Sequence, residues 1–245
     1  DTPACFRAHL GLWCIEPLWF QQAVEAVKLG LWPMTPRPER HAMFFGHQQV
    51  PGDAAGQFGA AVPERERLYR PYGDGVAVIR MVGGMTKGYS KFGGVSTIEM
   101  RRAIRQALGD EEIRSILLAI DSPGGQVAGV ADLAEEVRCA NDIKPVVAYI
   151  EDLGASAAYW VASQAQRITA NPTAEVGSIG VFAVLQDLSG MAEREGVQVR
   201  VISTGPYKGL GVPGTPVTQV LIDEVQGQVD RIGEFFFQHV QSGRQ

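Results

Sequence analysis

Apolar and polar positions change rhythm several times along the chain, and each change predicts an element. Val76–Val82 is an apolar, β-branched run interrupted by Arg80, the pattern of a buried strand. Ser96-Thr97-Ile98-Glu99 is a capping-box pattern that opens a helix running to about Leu108. Ser115–Ile120 is a second buried strand, closed by Asp121-Ser122-Pro123-Gly124-Gly125, and a helix follows over about 127–140. Pro145–Ile150 predicts a third strand and Ala155–Ser163 a helix. Val176–Leu185 reads as a strand broken by glycine, and Val197–Ser203 as another strand, with Val197, Val199 and Val201 on one face. Val217–Val240 is a long helix with Val225, Val229, Ile232 and Phe236 on one side. Strands alternating with helices from Gly75 onward predict an α/β fold with largely parallel strands.

The first 70 residues follow a different pattern. Leu18, Val24, Val27 and Leu31 share a helical face over Ile15–Leu31. Residues 32–40 are too rich in proline for a helix or a central strand. Residues 51–70 carry glycine, alanine and the charged run Glu64-Arg65-Glu66-Arg67. The division expected is an N-terminal helical arm and linker over 1–70 and a catalytic-type body over 71–245. Trp13, Trp19 and Trp32 need burial, which predicts that the arm packs on the body or on a neighbouring subunit.

Composition narrows the field. With 245 residues, 45% hydrophobic and 20% charged, the chain has the make-up of an ordinary globular protein with a sizeable core. A net charge of −5 and the lack of a basic stripe argue against nucleic-acid binding. No apolar run is long enough to span a bilayer. The start at Asp1 in place of Met reads as a trimmed or processed chain. Cys5, Cys14 and Cys139 are odd in number and widely spaced, which suits buried or idle thiols better than a disulfide framework or a metal site.

The chemistry-bearing residues lie where histidine is missing. The four histidines are His9, His41, His47 and His239. Ser156, in Gly154-Ala155-Ser156-Ala157-Ala158, follows a strand and begins a helix, where free N–H groups favour developing negative charge. The same placement equally describes a plain N-cap serine. Gly124 and Gly125 follow a buried strand, where ligands bind in open α/β sheets, although Ser-Pro-Gly-Gly is also good turn chemistry. Lys208 stands in the loop Gly205-Pro206-Tyr207-Lys208-Gly209 of a lysine-poor chain whose other lysines are Lys28, Lys87, Lys91 and Lys144. A general base must shed a proton near neutral pH, which arginine cannot do and a desolvated lysine can. Ser178, in Val176-Gly177-Ser178-Ile179-Gly180, is placed either to orient that lysine or simply to serve the strand.

Taken in order, Ile120–Gly125, Ala155–Ser163, Ala170–Val181 and Gly205–Lys208 resemble the signal peptide peptidase A family of Ser-Lys proteases, over roughly residues 75–242. The resemblance implies a crotonase/Clp-protease-like spiral of ββα units. It implies Ser156 as nucleophile, a neutral Lys208 as base, Ser178 orienting that base, and an oxyanion hole from the N–H groups of Gly125, or Gly124, and Ala157. It implies an extended polypeptide as substrate, a homo-oligomeric ring whose Ser-Lys pair forms within or between subunits, and neither metal nor nucleotide. Ala157-Ala158 replaces the two glycines of many relatives, and Asp121 a frequent asparagine.

The start Trp13-Cys14-Ile15-Glu16-Pro17 resembles the phage and prophage branch, whose members process scaffold or portal proteins. That branch implies the host cytoplasm or the prohead. A lost leader or anchor would instead imply the periplasm or a membrane. Two other readings stay open: a non-enzymatic capsid or scaffold component, and a crotonase-type acyl-CoA enzyme that would have no need of Lys208.

Overall fold

The computed structural model describes residues 12–15, 67–90 and 93–245. The expected helix over Ile15–Leu31 and the linker that follows lie outside these residues, apart from Ile15 itself and residues 67–70. Two sheets and five helices make up the described part. The larger sheet contains β2 (Arg70–Tyr72), β3 (Val76–Val82), β6 (Ser115–Ser122), β8 (Val146–Ala155), β9 (Arg167–Ala170) and β10 (Glu175–Gly177). The smaller one contains β1 (Leu12–Ile15), β4 (Met85–Thr86), β5 (Val95–Ser96), β7 (Gly124–Gln126) and β11 (Phe182–Ala183). The helices are α1 (Thr97–Gly109), α2 (Val130–Asn141), α3 (Ala157–Ala162), α4 (Ser189–Arg194) and α5 (Gln219–Gly243).

The spiral of ββα units is visible in the connectivity. β3 enters the large sheet, β4 and β5 the small one, and α1 returns. β6, β7 and α2 repeat the course, and β8 then leads into α3. The large sheet runs in the order β10-β8-β6-β3-β2, with β9 paired beside β10 along β8. All of its pairings are parallel except β2 with β3. β6 is buried throughout on one face and partly covered on the other, and no residue of it is exposed, as suits the centre of a parallel sheet. α1 and α2 cover the sheet with stripes at helical spacing: Met100, Ala103, Ile104 and Ala107 on one, Val130, Leu133, Ala134 and Val137 on the other.

Local chemistry sets the boundaries. Ser96 caps α1 by accepting from the Glu99 N–H at 3.3 Å, as the capping pattern predicts. α2 starts at Val130 because Gly129 before it has φ 82°. Val176–Leu185 divides into β10 and β11, with positive φ at Gly177 and Ser178 between them. Val197–Ser203 is not a strand. Its valines alternate, but no strand among the described residues pairs with it, and Ile202 is 99% exposed. Alternation offers a face; without a partner for its N–H and C=O groups it makes no ladder. Cys139 is a free thiol, exposed and not buried.

α5 joins the core through its second half. Phe236 is fully buried and stacks on Trp160 of α3 at 4.4 Å between centroids, whereas Phe235 and Phe237 are exposed. Phe236→Ala should therefore cost about 3–5 kcal/mol in urea unfolding, and Phe237→Ala less than about 1 kcal/mol. Equal effects would show that this stacking does not anchor the helix.

Candidate active site

β8 runs out at Gly154-Ala155, and α3 begins at Ala157. The hinge between them, Ser156, has φ 55° and ψ −119°. A side-chain-bearing residue adopts such a backbone only when its surroundings impose it, at about 1–3 kcal/mol. Two hydrogen bonds do so. The Ser156 N–H donates to the Gly177 carbonyl at 2.7 Å, and the Ser156 carbonyl accepts from the Trp160 N–H at 2.9 Å. Ser156 is 1% exposed, and its side chain does not cap α3. An N-cap serine has extended φ/ψ and spends its hydroxyl on the helix's own N–H groups. Ser156 does neither. The backbone makes a sharp strand-to-helix turn, the setting in which a nucleophile elbow is built.

The glycine pair is fixed by contacts from both directions. Ser122, fully buried at the end of β6, donates from Oγ to the Gly83 carbonyl at 2.7 Å and accepts from the Gly124 N–H at 3.2 Å. The Gly83 N–H in turn donates to the Asp121 carbonyl at 2.9 Å. β7 then lies so close to β4 that a Cβ on residue 125 would sit 2.0 Å from the Met85 carbonyl oxygen. Only glycine fits there. β7 also neighbours α3, which brings Gly124 and Gly125 alongside the helix that Ser156 begins. Ala157 and Ala158 are fully buried, so the two methyls that depart from the glycine pattern fill core space.

Ser178 follows the strand that pairs beside Ser156. Gly177 pairs with Ala155, and Ser178 and Ser156 are the residues that leave those two strands at the end of the sheet. Both carry positive φ, 52° and 55°. Lys208 is placed differently. It is exposed in the turn after Gly205, to whose carbonyl its N–H donates at 3.3 Å. Among the described residues its ammonium has no hydrogen bond or ion pair. Pairing and packing thus bring Ser156, Ala157, Gly124 and Gly125 into one neighbourhood, with Ser178 one residue beyond the strand pairing and Lys208 on an exposed turn.

Sequence reading missed two supports. One is the Ser122 hydroxyl, hidden inside a turn-like motif. The other is the clamp on α3 by α5. Trp160 Nε1 donates to His239 Nδ1 at 3.2 Å, Gln164 Nε2 donates to the His239 carbonyl at 2.8 Å, and Arg244 Nε donates to the Ser163 carbonyl at 2.9 Å. His239 is thereby spent on structure, against a tryptophan one helical turn along α3 from Ser156. The paired aromatics of the two helices were the available signal.

A buried serine on a strained strand-to-helix turn lies beside a strand whose residue 125 admits only glycine. Comparison with known proteins adds to this. Residues 138–245 match the profile of peptidase family S49. Capsid assembly protease C of Escherichia phage lambda is 33% identical over 184 residues, 73% of this chain and 41% of that protein. Head-tail preconnector protein GP5 of Enterobacteria phage P21 is 30% identical over 203 residues, 79% of this chain and 40% of that protein. Protease 4 of Salmonella typhi is 32% identical over 155 residues, 63% of this chain and 24% of that protein. The chain carries a domain of peptidase family S49, the signal peptide peptidase A family, matched over residues 138–245. It spans less than half the length of each of these relatives. Among solved structures, an enoyl-CoA hydratase from Polaromonas sp. JS666 aligns with 47% of this chain and 49% of its own at 17% identity and a TM-score of 0.35. The 1510-N membrane-bound stomatin-specific protease aligns with 42% of this chain and 47% of its own at 15% identity and a TM-score of 0.31.

Ser122→Ala removes a buried hydroxyl that serves two backbone groups. The expected outcome is a loss of about 1–3 kcal/mol in thermal or urea unfolding, with faster hydrogen exchange at Gly124. Wild-type exchange at Gly124 in this variant would show that Ser122 does not hold β7.

Proposed function

We propose that this chain is a serine endopeptidase that hydrolyses extended polypeptide, and that its substrates are scaffold or portal proteins of a phage capsid, cleaved in the host cytoplasm or prohead. The observation that carries the reading is the elbow at Ser156. In the proposed mechanism Ser156 Oγ attacks the scissile carbonyl, and the oxyanion is held by the N–H groups of Ala157 and of Gly125 or Gly124. Lys208, as the neutral amine, takes the serine proton, passes it to the leaving amine and then activates water. Ser178 orients that amine. Body and arm divide near residue 70.

Lys208 would act on a neighbouring copy. Two features support this. Lys208 is exposed and unpaired among the described residues, and the stretch of chain that carries it has many exposed apolar side chains, among them Val197, Val201, Ile202 and Tyr207. A surface of that kind marks a protein–protein contact. Packing it against a second copy would desolvate the lysine and bring it toward that copy's Ser156. The same solitary lysine also favours a second reading, a capsid component without activity.

The test is cleavage of a reduced, carboxymethylated protein by wild type, Ser156→Ala, Lys208→Ala, and the two variants refolded together. Each variant alone should lose at least about a thousandfold in kcat. Refolded together, they should recover roughly a quarter of wild-type activity, the share of interfaces at which random assembly places an intact serine beside an intact lysine. No recovery would put both residues in one chain. An inactive wild type would favour the capsid component.

A further inference from the structure

The small sheet contains a strand from outside the body. Its order is β11-β1-β7-β4-β5, so β1, near the start of the chain, lies between two strands of the body. On one edge β1 runs antiparallel to β7, pairing Trp13 with Gln126, Cys14 with Gly125 and Ile15 with Gly124. On the other it runs antiparallel to β11, pairing Leu12 with Ala183 and Trp13 with Phe182. These two strands border the nucleophile. β7 carries the glycine pair, and β11 follows Ser178 within a few residues.

Both walls are anchored without β1. β7 pairs with β4 on its far edge, and β11 lies beside α5. The space between them is one strand wide, two interstrand spacings or about 10 Å. Emptied, it would present two facing rows of unpaired backbone N–H and C=O groups. An extended peptide satisfies such rows by strand addition, reading main chain more than side chain.

We infer that β1 is the resident occupant of the substrate slot: Leu12–Ile15 holds the place of an extended peptide and must withdraw before one can bind. The inference rests on Ser156 being the nucleophile of this site. β1 pairs over four residues on a sheet edge made of strands of two and three residues, a short ladder that a longer peptide can outcompete. Residues 16–66 separate β1 from Arg67 in sequence, more chain than the withdrawal of one short strand requires.

The full-length Cys14→Pro variant tests this, because proline removes a donor and cannot sit at the centre of a sheet. Freed of its occupant, the slot should show kcat/KM for a reduced, carboxymethylated protein raised about threefold or more, through KM, and faster labelling of Ser156 by a fluorophosphonate. Unchanged or lower values in a folded variant would overturn the inference. A second measurement does not depend on that variant folding. In full-length Ser156→Ala, adding the same unfolded protein should speed hydrogen exchange at residues 12–15, while 124–126 and 182–183 stay protected. Binding that leaves 12–15 protected would also overturn it. If neither wild type nor Cys14→Pro hydrolyses or labels, the catalytic reading has failed, and the exchange measurement alone decides whether β1 gives way.

Discussion

The site depends on one backbone conformation, the positive φ of Ser156 between β8 and α3. Relaxed to an ordinary N-cap, the hydroxyl would turn back onto its own helix. The conformation is held from two sides. The parallel pairing of β10 with β8 delivers the Gly177 carbonyl to the Ser156 N–H at 2.7 Å. Behind the serine, Ala157, Ala158, Trp160, Val161 and Ala162 are buried, and the stacked Phe236 with the hydrogen bonds from Trp160, Gln164 and Arg244 pins the helix to α5. Removing a buried aromatic side chain alone costs about 3–5 kcal/mol, more than the strain of one residue. Packing therefore wins, and the strain persists in the native state.

The glycine strand obeys the same logic with a different agent. β7 is defined by how near it comes to β4, a nearness that excludes any side chain at residue 125. Ser122 sets where that approach begins, because one hydroxyl serves both the Gly83 carbonyl and the Gly124 N–H. Elbow and glycine strand both lie at the carboxyl ends of neighbouring parallel strands, β8 and β6, where an α/β sheet opens to ligands. Close backbone approach on one side and a buried helix on the other leave the site little freedom to rearrange.

The strongly patterned elements are legible in the amino-acid sequence. Val76–Val82 has the bounds of β3, the Ser96–Glu99 pattern caps α1, and the Val225, Val229, Ile232 and Phe236 face of α5 turns inward. Those elements carry their signal within themselves. β4, β5, β7 and β11 are two or three residues long and exist only because other strands lie beside them, so no local period announces them. Val197–Ser203 fails for the converse reason: the alternation is present and the neighbour is not. The candidate site divides along the same line. Ser156, Ser178 and the glycines could be named from motif order, but a cap and an elbow share one local sequence and differ only in φ, ψ and the direction of Oγ.

On the proposed reading, the exposed apolar residues between Val176 and Ile222 would link assembly to the site. This stretch contains Ser178, β11 and Lys208, and none of its residues beyond Glu175 is buried until Leu221. A segment with so little of its own core has low local stability unless something covers it. On the proposed reading a second copy does so, and the consequence reaches further than the lysine. β11 is one wall of the slot that β1 fills. Covering the segment would add to the hold that α5 has on that wall and bring a base to the slot at once. Assembly, access and proton transfer would then share one stretch of about 45 residues, which explains how so exposed a surface can be retained in a globular chain.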